Sequence, residues 1–362
     1  MRLPRRDVIA GAAALMASPA EALAQSAPAR PPRGPAAPKP TPTPPPDPIG
    51  VVRQPLTRLV SFGGAPFPYD GPTDDGRTRF FDVVDALRRR GRRALNGEVY
   101  WEDITYRDDR VLLHVPAGFD PRRPAVIAMF FHGHGSVIDR AVAEAELPRQ
   151  LAESGANAVL VAPQFAYDAA DSSPGKFWQW GAFARFIDEA AAKLARLIVP
   201  PRVDTRRIGG VFNAAPVVMV AFSGGYKPAA WALTRGGVAH RVAGLVLLDA
   251  VYEDEDKFAA WFAGARGRAF LASFHTESTA GHNAQLRAML RQRRIEVVDA
   301  LPAKLPAGLA AIVASGSIER HARFTLEGPP RDPVKTILAA MPGYRMVAPP
   351  TPVRTPPAKP SR

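Results

Sequence analysis

Ten residues, Pro216-Val-Val-Met-Val-Ala-Phe-Ser-Gly-Gly225, carry an apolar segment straight into a serine that lies between small residues. The apolar part, 216–221, has the continuous pattern of a strand that is buried on both faces. Residues 226–236, directly after it, have the pattern of a helix. A strand that turns at once into a helix requires small residues two positions before and after the turn, here Ala221 and Gly225. The stretch therefore predicts a tight turn that exposes the Ser223 hydroxyl, a candidate nucleophile, above a sheet.

The rest of the chain from about residue 95 repeats this alternation of strand and helix. Further apolar segments of strand length are 111–115, 125–131, 157–162, 243–248, 269–274 and 309–314. Further helical patterns are 139–153, 181–198, 255–264, 281–292 and 332–340. Alternating strands and helices predict an α/β fold, in which helices cover both faces of a mostly parallel sheet. Such sheets carry their functional loops at the carboxyl ends of the strands.

The segment His132-Gly133-His134-Gly135 follows the strand predicted at 125–131. Glycines in such a loop allow backbone N–H groups to turn towards a developing oxyanion, so Gly133, His134 and Gly135 are candidate donors together with Gly224. A His-x-His pair is also typical of one class of zinc site. That class has Asp and His immediately afterwards, whereas Ser136 and Val137 follow here, so no metal site is predicted.

A histidine and an acid also follow predicted strands. His321 is the only histidine beyond the strand at 309–314, and it is the candidate general base. Two acids compete for the third position. Asp249 ends the strand at 243–248 and is short and rigidly held, whereas Glu277 follows the strand at 269–274 in a loop rich in Thr and Ser. We favour Asp249 and keep Glu277 as the alternative.

Taken together, these residues resemble the α/β-hydrolase superfamily over about residues 95–345. The resemblance implies an eight-stranded α/β-hydrolase fold, with Ser223 as nucleophile and His321 as general base and then general acid. It implies that Asp249 or Glu277 orients the imidazole, that backbone amides hold the oxyanion, and that no metal or organic cofactor takes part. The sequence departs from the family pattern at Ala221, where glycine is usual, and in its two competing acids.

The substrate pocket is expected beside the long loop 165–180. His132, Gln164 and Trp178 are candidate substrate contacts, although the aromatic residues of the loop equally suit a cover over helix 181–198. About 20 residues separate the strands at 243–248 and 269–274, which leaves room for one helix and no large lid. Residues 51–95 precede the regular pattern and are expected to pack beside the site as an N-terminal extension.

The two ends of the chain differ from its body in composition. Residues 1–24 predict an export signal, with basic residues, a short apolar run and the small residues Ala22-Leu23-Ala24 at the cleavage position. Arg5-Arg6-Asp7-Val8-Ile9 resembles a twin-arginine signal, although a cytosolic protein with a chance arginine pair is the alternative. The apolar run is too short for a stable membrane anchor. We therefore expect a periplasmic or secreted protein.

Eleven of the 39 prolines lie within 28–48 and six within 349–362. This composition predicts a disordered linker over 25–50 and a disordered tail over 347–362, which leaves 51–346 as the hydrolase domain. The chain has no cysteine, so disulfides, thiolate metal sites and a cysteine nucleophile are excluded. Its net charge is +13, but the basic residues lack interleaved aromatics, and no nucleic-acid partner is predicted.

These observations favour an exported serine hydrolase that cleaves an ester or an amide in a small molecule or a cell-envelope polymer, and they favour an esterase over a peptidase. The alternative is a non-catalytic envelope protein with a hydrolase fold. A penicillin-binding type Ser-x-x-Lys site is excluded because Lys227 is four residues after Ser223 and not three. The sequence gives no indication of the oligomeric state.

Overall fold

The computed structural model of the protein describes residues 50–94 and 97–346. The strands are β1 (Leu56–Ser61), β2 (Val83–Val84), β3 (Arg90–Arg93), β4 (Val99–Trp101), β5 (Arg110–Val115), β6 (Val126–Phe131), β7 (Ala158–Pro163), β8 (Val217–Phe222), β9 (Val242–Leu248), β10 (Phe270–His275), β11 (Val297–Val298) and β12 (Ala310–Ala314). The helices are α1 (Glu102–Thr105), α2 (Ile138–Glu144), α3 (Leu147–Ser154), α4 (Ala182–Ile198), α5 (Arg206–Ala214), α6 (Tyr226–Arg235), α7 (Glu255–Ala265), α8 (Ala280–Gln292), α9 (Phe324–Glu327) and α10 (Pro333–Ala340).

The main sheet of the described residues has nine strands in the order β1-β5-β7-β6-β8-β9-β10-β12-β11. Strands β7 to β11 of this order run parallel to one another, and β5 is antiparallel to both β1 and β7. The α/β class and the mostly parallel sheet are confirmed, but the predicted count of eight strands is wrong by one. The edge strand β1 mixes apolar and polar residues and β11 has only two residues, so both lack the long apolar run that marks the central strands.

Both faces of the sheet are buried under helices. In β6, Ile127, Met129 and Phe131 pack into the core on one face, which also takes in residues of α4 to α8. The alternate residues Val126 and Ala128 pack into the core on the other face, with α2, α3 and α10. This alternation explains why the central strands are apolar at every position, since each residue faces one core or the other.

The predicted elements lie close to the observed ones. All seven predicted strands are found within one residue at each end. The helix predicted at 139–153 is two helices, α2 and α3, because Glu146 has a left-handed φ of 47° and Pro148 lies in the first turn of the second helix. Helix α5 was not predicted, although it has an amphipathic pattern in which Ile208 and Phe212 are buried.

The segment before β5 forms a small three-stranded antiparallel sheet in the order β2-β3-β4. Phe67, Tyr69 and Phe80 from this segment pack in one aromatic cluster with Tyr106 and Trp178. The N-terminal extension is thereby attached to the loop that follows β7, at the carboxyl edge of the sheet.

The predicted signal peptide (1–24), the linker up to residue 49 and the tail (347–362) lie outside the described residues. Within the part that is described, no helix is long and apolar enough to cross a membrane.

Candidate active site

Ser223 lies where β8 turns into helix α6 through a single turn of 3-10 helix. Its φ of 49° is left-handed, which is unusual for a residue with a side chain and lifts the hydroxyl out of the turn. A Cβ added to Gly225 would lie 2.3 Å from the carbonyl oxygen of Phe131, so no larger residue fits there. Ala221 is fully buried, and its single methyl group is accommodated two positions before the serine.

His321 lies between Ser223 and Asp249. It belongs to the 3-10 turn Ile318–Arg323, which follows β12. Its Nε2 is 2.9 Å from the Ser223 hydroxyl oxygen, and its Nδ1 is 2.6 Å from an Asp249 carboxylate oxygen. The ring of Phe222 stacks on the imidazole at 5.2 Å between centroids and limits its rotation. Three side chains from three separate strand ends therefore form one hydrogen-bonded chain.

Asp249 is completely buried at the end of β9. Its carboxylate accepts hydrogen bonds from the Thr276 N–H at 2.9 Å, from the Thr276 hydroxyl at 2.8 Å and from the Thr279 hydroxyl. Burial alone would raise the pKa of Asp249, but the hydrogen bonds from His321, Thr279 and Thr276 outweigh it and lower the pKa to about 2. The group is therefore a carboxylate at neutral pH and can stabilise a charged imidazole.

Glu277, the alternative acid, does not take this position. Glu277 is exposed, and its backbone N–H donates to the Gly316 carbonyl. The ring nitrogens of His321 are paired with Asp249 and Ser223 instead. The Thr and Ser residues around it serve Asp249 instead, because Thr276 and Thr279 both donate to that carboxylate. Asp249 is the acid that contacts the histidine.

Two backbone segments present N–H groups beside Ser223. The Gly224 N–H lies in the first helical turn, where it has no intrahelical acceptor. The Gly133 and His134 N–H groups also have no acceptor among the described residues. A Cβ on Gly133 would lie 2.9 Å from the Ser223 Cβ, so the loop approaches the serine closely. Gly135 was predicted as a donor, but its N–H donates to the Ala169 carbonyl at 2.9 Å and is not available.

His132 and Gln164 do not reach the cleft, contrary to their predicted role as substrate contacts. Both are buried, and their polar atoms are paired inside the protein. The His132 Nδ1 lies 2.8 Å from the Gly133 carbonyl oxygen, and its Nε2 accepts from the Phe165 N–H at 2.9 Å and from Gln164. Gln164 also accepts from the Ile138 N–H and donates to the Ser136 carbonyl. These two side chains hold the 133–138 loop in place. Burial lowers the pKa of His132 to about 4, so it is neutral there.

A cleft of about 930 Å³ opens above Ser223. Trp178 lines it, in keeping with one predicted role of the 165–180 loop, while Phe177 in the same loop packs against Phe183 and Phe186 of α4. The loop thus serves both as a wall of the cleft and as a cover over the helix. The His134 Nε2 lies 2.6 Å from the Ser172 hydroxyl oxygen, and burial lowers the pKa of His134.

Several cleft residues were not identified from the sequence. Asp74 and Arg92 come from the N-terminal extension, and Tyr226, Lys227 and Tyr252 come from the segments after β8 and β9. The two tyrosines each follow a site residue by three positions, Tyr226 after Ser223 and Tyr252 after Asp249. This closeness to two strand ends was the sequence signal that could have placed them at the cleft. Nothing in the local pattern of Asp74 or Arg92 indicates a position at the cleft, because distant packing brings them there.

The His-x-His pair does not form a shared metal site. His132 is buried with its ring nitrogens paired to backbone and Gln164, whereas His134 faces Ser172. Across residues 50–94 and 97–346, no group of three or more His, Asp or Glu side chains is placed to hold a metal ion.

No protein-family model matches the sequence, and a comparison with curated proteins gives no match. Among solved structures, a feruloyl esterase module from Clostridium thermocellum is 12% identical and covers 83% of this chain and 98% of its own, with a TM-score of 0.42. An esterase from the archaeon Pyrobaculum calidifontis is 16% identical and covers 64% of this chain and 79% of its own, with a TM-score of 0.37. Brefeldin A esterase, a bacterial homologue of human hormone-sensitive lipase, is 13% identical and covers 70% of this chain and 75% of its own, with a TM-score of 0.38.

The fold is defined by the sheet and by the residues at its strand ends. A serine with left-handed φ lies at the turn from a central parallel strand into a helix, and a glycine loop from the neighbouring strand approaches it. The acid and the histidine follow at later strand ends, in the chain order serine, aspartate, histidine. The chain has the fold of the α/β-hydrolase superfamily.

Proposed function

We propose that the protein is a serine hydrolase that cleaves carboxylic esters through an acyl-enzyme. The observation that carries this proposal is the continuous hydrogen-bonded chain from Ser223 through His321 to Asp249, beside backbone N–H groups that have no acceptor within residues 50–94 and 97–346. A nucleophile and a base within hydrogen-bond reach, with the base oriented by a third group, are the signature of an activated serine.

In the proposed reaction, the Ser223 oxygen attacks the ester carbonyl carbon while its proton passes to the His321 Nε2, 2.9 Å away. The carbonyl electron pair moves onto oxygen, where the N–H groups of Gly224 and of the 133–134 segment stabilise the negative charge. When the intermediate collapses, the bond to the alcohol oxygen breaks and His321 returns the proton to that oxygen. Water then repeats the sequence on the acyl-enzyme and releases the acid.

Asp249 has two proposed roles in this cycle. Its carboxylate fixes the tautomer of His321 by accepting from Nδ1, and its negative charge stabilises the imidazolium that forms. The low pKa of Asp249 supports these roles, because the group stays ionised while His321 gains and loses its proton. We propose an ester ahead of an amide because an alcohol leaves more readily than an amine.

The first experiment is to treat the purified mature protein with a fluorophosphonate probe and to locate the label by mass spectrometry. We expect labelling at Ser223 in the wild type and none in Ser223→Ala. If a folded wild-type sample is not labelled, the hydrolase proposal fails and a non-catalytic envelope protein becomes the better account. Paired ester and amide substrates with the same acyl group then distinguish an esterase from a peptidase.

We further propose that the protein is exported and acts on an ester in the cell envelope. The twin-arginine-like segment Arg5-Arg6-Asp7-Val8-Ile9 supports export. Fractionation of cells that express the full chain should place the protein outside the cytoplasm, with a new amino terminus near residue 25. Replacement of both Arg5 and Arg6 by lysine should retain the full-length chain in the cytoplasm. A wild-type protein that stays cytoplasmic and uncleaved would contradict the proposal.

A further inference from the structure

Tyr252 lies in the segment after β9, three residues beyond Asp249, and lines the cleft beside Ser223 and His321. Its ring stands edge-on to the His321 imidazole, with 6.5 Å between centroids and an angle of 87° between the planes. Hydrogen bonding by the Ser278 and Ser223 side chains lowers the pKa of Tyr252, against the larger and opposite effect of burial. The ring contact with His321 and the shared cleft place this side chain beside the nucleophile, although the three-residue chain from Ser223 to Asp249 does not include it.

Ser278, which contributes to lowering the pKa of Tyr252, is itself connected to the acid. The Ser278 hydroxyl is 2.7 Å from the Thr276 hydroxyl, which in turn donates to Asp249 at 2.8 Å. Burial, and then the charge of Asp249, raise the pKa of Tyr252, so its oxygen keeps the proton at neutral pH. Tyr252 is thus a neutral hydrogen-bond donor that lines the cleft beside Ser223 and His321.

The position of Tyr252 differs from that of the oxyanion donors. A Cβ on Gly224 would lie within 3 Å of His134 and Ser172, so that side of the serine is occupied by the 133–135 and 165–180 loops. Tyr252 lies instead on the side of His321. The general acid has to deliver its proton to the departing oxygen, so the side of His321 is the side from which the alcohol leaves.

We propose that Tyr252 is a further catalytic residue, whose phenol donates a hydrogen bond to the departing alcohol oxygen during acylation. This inference rests on the proposed ester hydrolysis. In the step, the bond from the carbonyl carbon to the alcohol oxygen breaks and its electron pair goes to that oxygen. His321 supplies the proton that makes the neutral alcohol. Tyr252 keeps its own proton throughout and only stabilises the charge that develops before the transfer is complete.

The test is the dependence of the rate on the leaving group in Tyr252→Phe, which removes one oxygen from the side chain. The probes are p-nitrophenyl, phenyl and ethyl acetate, whose leaving oxygens increase in basicity in that order and so need increasing stabilisation. We expect kcat/KM to change by about twofold or less for the p-nitrophenyl ester and to fall about tenfold or more for the ethyl ester. Phosphonylation of Ser223 by p-nitrophenyl and phenyl phosphonates tests the same dependence on the leaving group, without turnover.

Tyr226→Phe is the matched control on the same wall of the cleft. Its ring is 5.9 Å from that of Tyr252, but its hydroxyl donates to Glu253 at 3.2 Å. The ratio of ethyl to p-nitrophenyl rates should stay that of the wild type in this variant, whatever happens to KM.

The outcomes separate this inference from the function on which it rests. A uniform loss across the series in Tyr252→Phe, or no loss at all, refutes the leaving-group role while the hydrolase proposal stands. A wild type whose Ser223 reacts with neither esters nor phosphonates refutes both. A loss that grows with the basicity of the leaving oxygen in Tyr252→Phe, and not in Tyr226→Phe, supports the role.

Discussion

His132 should make the fold sensitive to acid. It is 3% exposed beneath the loop that approaches Ser223, and its Nε2 accepts the Phe165 N–H, which requires an unprotonated nitrogen. Burial lowers its pKa from 6.5 to about 4. As the pH falls, the unfolded chain therefore binds a proton first, so this stabilisation is complete above about pH 6.5 and is lost as the pH falls towards about 4.

The magnitude follows from the difference between the two pKa values. Between about pH 7.5 and about pH 5, His132 alone should cost about 2 kcal/mol of unfolding free energy. His114 is buried to the same extent and its pKa is also lowered to about 4 by burial, so it adds a similar amount. Ordinary carboxylates contribute little in this window, because in the unfolded chain they titrate below it. The two histidines together should cost about 4 kcal/mol.

The assay is urea denaturation followed by tryptophan fluorescence at both pH values. His132→Gln should lose about 2 kcal/mol less than the wild type between them, whatever its stability at neutral pH. His240→Gln is the control, because His240 is exposed and should keep the full wild-type difference. If His132→Gln does not fold, His114→Gln tests the same linkage. Equal unfolding free energies for the wild type at the two pH values would refute the reasoning.

Three further predictions concern the site directly. Asp249→Asn should lower kcat about 10⁴-fold in an ester assay with little change in circular dichroism, because an amide that donates to His321 stabilises the wrong tautomer, and an unchanged kcat would contradict the role of this acid. Gly133→Ala should lower kcat/KM in the ester assay at least about 100-fold, since its methyl group would meet the Ser223 Cβ. Gly135→Ala is the control, because its methyl group would lie in open space and should lower the rate by at most a few-fold. Its φ of 62° should still cost about 1 kcal/mol of unfolding free energy. Gln164→Ala should lower the unfolding free energy by about 2 kcal/mol, because it leaves the buried Ile138 N–H unpaired and leaves the Ser136 carbonyl with the Asp168 N–H alone. Gln292→Ala on the surface should change the unfolding free energy by less than about 0.5 kcal/mol in the same denaturation assay.

The central strands and most helices were predictable because burial on both faces leaves a continuous apolar signal. The residues around Ser223 were predictable for a related reason. A turn that brings Gly225 against the Phe131 carbonyl restricts which residues fit there, and that restriction is visible in the sequence. The parallel direction of the central strands follows from the same alternation, since each helix returns the chain to the end of the sheet at which the previous strand began.

Other features depend on contacts between distant parts of the chain and leave no local trace. The choice between Asp249 and Glu277 is decided by which carboxylate Thr276 and Thr279 face, a matter of side-chain direction. His132 and Gln164 lie beside the site in the sequence, but they point beneath the loop rather than into the cleft. Asp74 and Arg92 reach the cleft only because the N-terminal extension folds back over the loop after β7.

The left-handed backbone at Ser223 and Asp249 lowers the stability of the fold at two positions that carry the proposed reaction. Both residues hold conformations, with φ of 49° and 45°, that cost a side-chain-bearing residue about 1–2 kcal/mol each. Ser223→Gly should therefore unfold at a free energy up to about 1 kcal/mol higher than Ser223→Ala, although both variants lack the hydroxyl. The glycine variant, which lacks the proposed nucleophile, would then be the more stable of the two. Retaining serine for the proposed reaction therefore keeps the unfolding free energy of the protein below the value that the same fold could have.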